Sequence, residues 1–161
     1  MMNEVETFSE HVVTDDALEH TLETIEQIRM VGNTIPYAWS DHVRTSDGKV
    51  NLIAIHLLSE IVYWYTPDRV FDPDTGEYIG YQKRFKGNLF CRFANAFEEQ
   101  FGLTSEQLRS GLSLLQALGL ITVEQGQRRT NDYPSFLMYR IGIDATAIAR
   151  ISQLTFGDFN E

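Results

Sequence analysis

This chain of 161 residues holds a single cysteine, Cys91. One thiol excludes an intrachain disulfide and a thiolate metal cluster, and makes a reducing compartment the simplest setting. Cys91 itself is expected as a small buried hydrophobe. Metal-ligand spacing is missing among the four histidines, His11, His20, His42 and His56, and no glycine loop suited to cradling phosphate occurs. Cys91 has no base partner nearby in sequence. The expectation is a protein that is not an enzyme, with no catalytic residues, no metal and no cofactor.

Long hydrophobic runs are absent too. The longest, LIAIHLLSEIVYWY from Leu52 to Tyr65, is interrupted by His56, Ser59 and Glu60 and is shorter than a membrane span requires. It reads as a central buried helix with His56 as a hydrogen-bonded core residue. The opening MMNEVETFSE is acidic, where a secretory signal would be basic and then apolar. No membrane partner is expected, and a cytoplasmic location is. An apolar fraction of 43% fits a globular chain with one sizeable core.

Cations are scarce: the net charge is −10. That sum argues against nucleic acid, which needs clustered lysine and arginine, but its distribution is uneven. Residues 1–31 hold eight carboxylates against Arg29 alone. Residues 83–129 carry Lys83, Arg84, Lys86, Arg92, Arg109, Arg128 and Arg129 against four glutamates, an excess of three positive charges. The domain reading is an acidic helical arm over 1–31, a main domain over 32–154 and an acidic tail, FGDFNE, ending a segment at 155–161.

In the arm, Thr14 or Asp15 is placed to cap a helix whose Leu18, Leu22, Ile25 and Ile28 recur along one side. The segment from Thr34 to Trp39 reads as a connection packing its aromatics on the core. Asp72-Pro73-Asp74-Thr75-Gly76 is turn chemistry between two short runs, Arg69–Phe71 and Tyr78–Tyr81, and predicts a hairpin. Its alternating acids lack the glycine position and closing glutamate of a calcium loop. From Asn88 a helix is expected, with Phe90, Phe93, Ala94, Phe97 and Phe101 as a core stripe.

The stretch FGLTSEQLRSGLSLLQALGLITVEQGQRR, Phe101 to Arg129, has two glycine stops, FGL and LGL, which end successive helices through a left-handed cap. Thr104 and Gln107 have the spacing of a capping box at the start of the second. That helix should bury Leu108, Leu112, Leu115 and Leu118 and present Ser105, Glu106, Arg109, Ser113 and Gln116. Ile121 and Val123, then Leu137, Tyr139, Ile141 and Ile143, alternate as strands, with Gly126 to Pro134 as a polar loop between them. Asp144 can cap a last short helix carrying Ile148 and Ile151.

The pattern resembles the winged-helix branch of helix-turn-helix proteins across roughly residues 49–144. LLSEIVYWY stands as first helix, FANAFEEQFGLTSEQLRSGLSLLQALGLI as helix-turn-helix, and ITVEQGQRR with FLMYRIGID as wing. With the inserted hairpin, the combination is similar to winged-helix domains of phage and plasmid replication proteins. The resemblance implies an α+β fold: a winged helix-turn-helix with an inserted β-hairpin and an N-terminal helical extension.

It also implies a third helix in the major groove of double-stranded DNA, a wing tip touching the backbone or the minor groove, and a phosphate at the start of the second helix. Mapped here, Ser105, Glu106, Arg109 and Ser113 read the groove. Lys83, Arg84 and Lys86, ahead of the second helix, and Arg128 and Arg129, on the wing, contact phosphate. Leu18, Leu22, Ile25 and Ile28 would form a homodimer interface for a two-fold site. The expected function is a DNA-binding replication accessory protein or transcriptional regulator. Few cations on SEQLRSGLSLLQ keep open a non-catalytic adaptor that binds a replication or regulatory protein partner.

Overall fold

The computed structural model describes residues 15–28, 32–130 and 133–153, with the backbone alone for 128–130 and 133–135. The chain divides into two units, Met1–Gly32 and Asn33–Glu161. In the first, α1 spans Asp15–Gln27 and begins with Asp15 and Asp16, whose negative charge suits the positive end of the helix dipole. None of its residues is buried. The cap expected at Thr14 and the FGDFNE tail lie outside the described residues.

The second unit is α+β. Its helices are α2 (Trp39–His42), α3 (Leu52–Tyr65), α4 (Ala94–Phe101), α5 (Ser105–Ala117) and α6 (Ala145–Ser152). Its strands are β1 (Asp68–Phe71), β2 (Tyr78–Gln82), β3 (Phe90–Phe93), β4 (Ile121–Thr130) and β5 (Tyr133–Ile143). β1 and β2 pair only with each other; the second sheet is antiparallel with order β3-β5-β4.

Among the described residues, three helix starts have a side-chain cap. Asn51 caps α3 by accepting from the Ala54 amide at 3.0 Å, and Asp144 caps α6 by accepting from Ala147 at 3.0 Å. Thr104 and Gln107 form the capping box of α5: Thr104 Oγ1 accepts from the Gln107 amide at 3.1 Å while Gln107 Oε1 accepts from the Thr104 amide at 3.0 Å. Thr104→Ala should therefore lower the unfolding free energy by about 1 kcal/mol, read as a lower urea midpoint with an unchanged slope. α4 and α5 end at Gly102 and Gly119, at φ +65° and +74°, a region that costs other residues steric strain.

The core lies between α3, α5 and the three-stranded sheet. Ile55, Leu57, Leu58 and Ile61 of α3 meet Leu108, Leu112 and Leu115 of α5, with Phe90, Phe97, Ile121 and Ile141 closing the sheet side. Trp39 plugs one end and donates from Nε1 to Ser152 Oγ at 2.8 Å. Tyr65 ties three elements at one point: its hydroxyl donates to the Ile141 carbonyl of β5 at 2.5 Å and accepts from the Phe90 amide of β3 at 3.2 Å.

Several expectations are corrected. Phe90–Phe93 is a strand, not the first turn of a helix, because it pairs with Met138–Ile141 of β5; the helix starts at Ala94. Residues 126–130 and 133–134, expected in an open polar loop, are strand. The ladder runs on through Gly126↔Met138 and Arg128↔Phe136 to Thr130↔Tyr133, since strand pairing is satisfied by backbone groups whatever the side chains.

His56 is exposed rather than in the core: with Leu52 it faces outward from α3, so this helix is apolar on most sides but not all. Leu118 is the C-cap of α5 and exposed. Cys91 is exposed, pointing off the sheet while its strand neighbour Phe90 points in, as the alternation of a strand demands.

Candidate functional site

The α4–α5 pair turns at Gly102, and the β4–β5 ribbon leaves the sheet alongside α5. β3 pairs only as far as Phe93↔Met138, so from Gln127 onward the ribbon is two-stranded. Four residues of strand at about 3.4 Å each carry it roughly 14 Å further. The buried side of α5 is Leu108, Gly111, Leu112 and Leu115; Ser105, Glu106, Arg109, Ser113 and Gln116 are exposed, as the periodicity predicted.

Two surface hollows meet at Arg109. One, of about 300 Å³, is bounded by Arg109, Ser113 and Gln116 of α5 and by Val123, Gln125 and Tyr139 of the sheet. The other, of about 320 Å³, is bounded by Asn95 and Glu98 of α4, Ser105 and Arg109 of α5, and Leu137 and Tyr139 of β5. Tyr139 is the shared floor and is buried. Burial raises the pKa of its phenol; the positive charge of Arg109 works the other way and Glu98 adds to the rise. The phenol is thus neutral beside an exposed guanidinium.

None of the families, curated proteins or solved structures compared with this chain matches it.

The remaining basic residues divide by their partners. Arg84 is half-buried and engaged: Nε donates to the Thr66 carbonyl at 2.5 Å, the guanidinium pairs with Asp68 at 2.7 Å, and it lies 4.3 Å from the Tyr63 ring centre. Lys83 donates to the Gly87 carbonyl and remains exposed, as does Lys86. All three precede β3 and not a helix, so the helix-dipole argument for a phosphate beside them does not apply. The side chains of Arg128 and Arg129 lie outside the described residues; their backbone belongs to β4. Arg140, which the sequence did not single out, is exposed on the same ribbon and pairs with Glu124 at 3.5 Å. In α1, Leu18, Leu22, Ile25 and Ile28 are all exposed, at 49%, 60%, 52% and 48%.

Arg92 has gone inward. Its Nη1 donates to Glu60 Oε1 at 3.1 Å and to Gln100 Oε1 at 2.6 Å. Its guanidinium lies 4.9 to 5.5 Å from the ring centres of Trp64, Phe90 and Phe97. Glu60 also accepts from Trp64 Nε1 at 2.9 Å and from Asn33 Nδ2 at 2.6 Å. Burial resists ionisation of this carboxyl, but the hydrogen bonds it accepts outweigh burial and hold its pKa below the usual value. The cluster joins α3, β3 and α4 and is structural. Its two charged members stand 32 residues apart in sequence, which is why inspection of either neighbourhood could not find it.

Proposed function

We propose that the second unit is a winged-helix domain that binds double-stranded DNA, with α5 in the major groove and the β4–β5 ribbon as the wing, serving replication or transcription regulation without a chemical step of its own. The observation that carries this reading is the exposed α5 face standing beside a projecting two-stranded ribbon. A helix and a ribbon side by side are the two shapes that fit a major groove and its flank. The sheet order β3-β5-β4 and the capped helix-turn-helix support it. An exposed lone thiol, Cys91, suits a reducing, cytoplasmic setting.

Charge sets the strength of binding. Arg84 and Arg92 are engaged by partners within the fold, so phosphate contact falls to Lys83, Lys86 and the wing arginines. With about four of these on phosphates, log affinity should fall against log salt with a slope of roughly −3 to −4. Fluorescence anisotropy with mixed duplexes at several salt concentrations measures this. No binding at low salt would overturn the reading.

One feature favours the adaptor as second reading. Phe71, Tyr78, Ile79 and Tyr81 on the β1–β2 hairpin are exposed, at 53%, 55%, 61% and 72%. Contiguous apolar side chains on a surface are characteristic of protein contacts. A chain that fails to bind duplex DNA yet keeps its fold leaves this hairpin as the functional surface.

A further inference from the structure

An acidic residue on a helix meant for DNA needs a reason, and the geometry around Glu106 supplies one. Arg109 Nη1 lies 3.7 Å from Glu106 Oε2, with both side chains mostly exposed, at 62% and 81%. Residues three apart share one helix face. An exposed pair at this distance is weakly held, so either group can turn to another partner. Together the two present a donor fork and an acceptor side by side and cancel each other's charge, which makes them a poor phosphate clamp.

We propose that Glu106 and Arg109 act as one reader of a single C·G base pair, an assignment that rests on α5 being the DNA-reading helix. Arginine binds the O6 and N7 acceptors of guanine through its fork, and a carboxylate accepts from the N4 amino group of cytosine. In a C·G pair, N4 and O6 are themselves hydrogen-bonded and so lie about 3 Å apart. The donor and acceptor of the Glu106–Arg109 pair are separated by 3.7 Å, a close match to that spacing.

Adenine offers a donor too, but its N7 acceptor sits beside it and repels a carboxylate, while thymine offers only an acceptor and a methyl group. Glu106 therefore rejects A·T pairs at this step. The groups further along the groove, Ser113, Gln116 and Gln125, are neutral, which suits base edges better than phosphates.

The test is selection from randomised duplexes at low salt with the full chain, followed by anisotropy on the selected site and on its C·G to T·A variant. The wild type should select one C·G pair and discriminate against the T·A variant by about 10-fold or more. Glu106→Gln should bind random DNA at least as well, since a negative charge is gone, and should discriminate several-fold less against the T·A variant at that one position. Arg109→Ala should weaken the same discrimination, since the guanine contact is gone.

Circular dichroism keeps the comparison to folded protein, both positions being exposed. Wild-type binding without a C·G preference, or an unchanged preference in Glu106→Gln, overturns the paired reader and leaves the DNA reading standing. Absence of any duplex binding overturns both.

Discussion

Arg92→Ala is expected to destabilise the protein by about 3–5 kcal/mol, the range for removing one partner of a buried ion pair. Glu60 is 6% exposed and accepts from Asn33, Trp64 and Arg92, so the variant leaves a carboxylate buried with its counter-charge gone. It also empties the space between Trp64, Phe90 and Phe97. Urea unfolding at neutral pH measures the loss.

Replacing both members together, as Glu60→Leu with Arg92→Met, should cost far less, because no unpaired charge remains and apolar packing fills the site. If the double variant is as damaged as the single one, packing and not charge governs the cluster.

The same pair fixes a sign for pH. The folded-state pKa of Glu60 lies below its ordinary value, so its contribution is fully present above the unfolded-state pKa and is lost as pH falls through the folded one. Arg92→Ala should flatten that slope, since the carboxylate loses its counter-charge while Asn33 and Trp64 still donate to it. Unfolding followed from neutral to mildly acidic pH would therefore bring the two proteins closer together.

Gly111→Val is the second large effect, expected at about 3 kcal/mol, the upper part of the range for overfilling a packed core. Gly111 is where α5 presses on α3. A Cβ there would stand 2.7 Å from Leu57 Cδ1 and 3.3 Å from Ile53 Cγ2. Leu57 is fully buried, so its methyl can give way only by repacking the side chains around it.

Gly111→Ala should be milder, because alanine recovers about 1 kcal/mol of helix propensity against the same clash. Thermal unfolding of both variants checks the order. A neutral valine variant would mean that the two helices can separate freely, and would remove the constraint that aims Arg109 at the hollows beside the sheet.

What the sequence made legible was local. Thr104 with Gln107, and the glycines at 102 and 119, declare their roles within four residues, so the ends of α4 and α5 could be read directly. β4 and β5 announced themselves by alternation. β3 did not: Phe-Cys-Arg-Phe places its phenylalanines three apart, which serves a helix face as well as a short strand. Only pairing with Met138–Ile141, nearly fifty residues on, decides between them.

Arg92 and His56 misled for the same reason. Arg92 counted as basic surface until Glu60 drew it inward, and His56 counted as core until the outward side of α3 was placed. The exposed row on α5 was correctly read because a helix face follows from spacing alone. The hollows either side of it were not, since they need β4 and β5 brought alongside.

The β1–β2 hairpin has a consequence for how the unit holds together. Its ladder is internal to the pair, Asp68↔Gln82 to Phe71↔Tyr78, and it joins neither the three-stranded sheet nor the buried cluster. Two strands alone are marginal in water, so the hairpin opens at a smaller free energy than α3 before it or β3 after it. What fastens its base is Arg84, gripping Thr66 and Asp68, and the Tyr65 hydroxyl just ahead of it. Fraying thus stops at the foot of the hairpin, which can unzip and re-form many times while the rest of the unit remains intact.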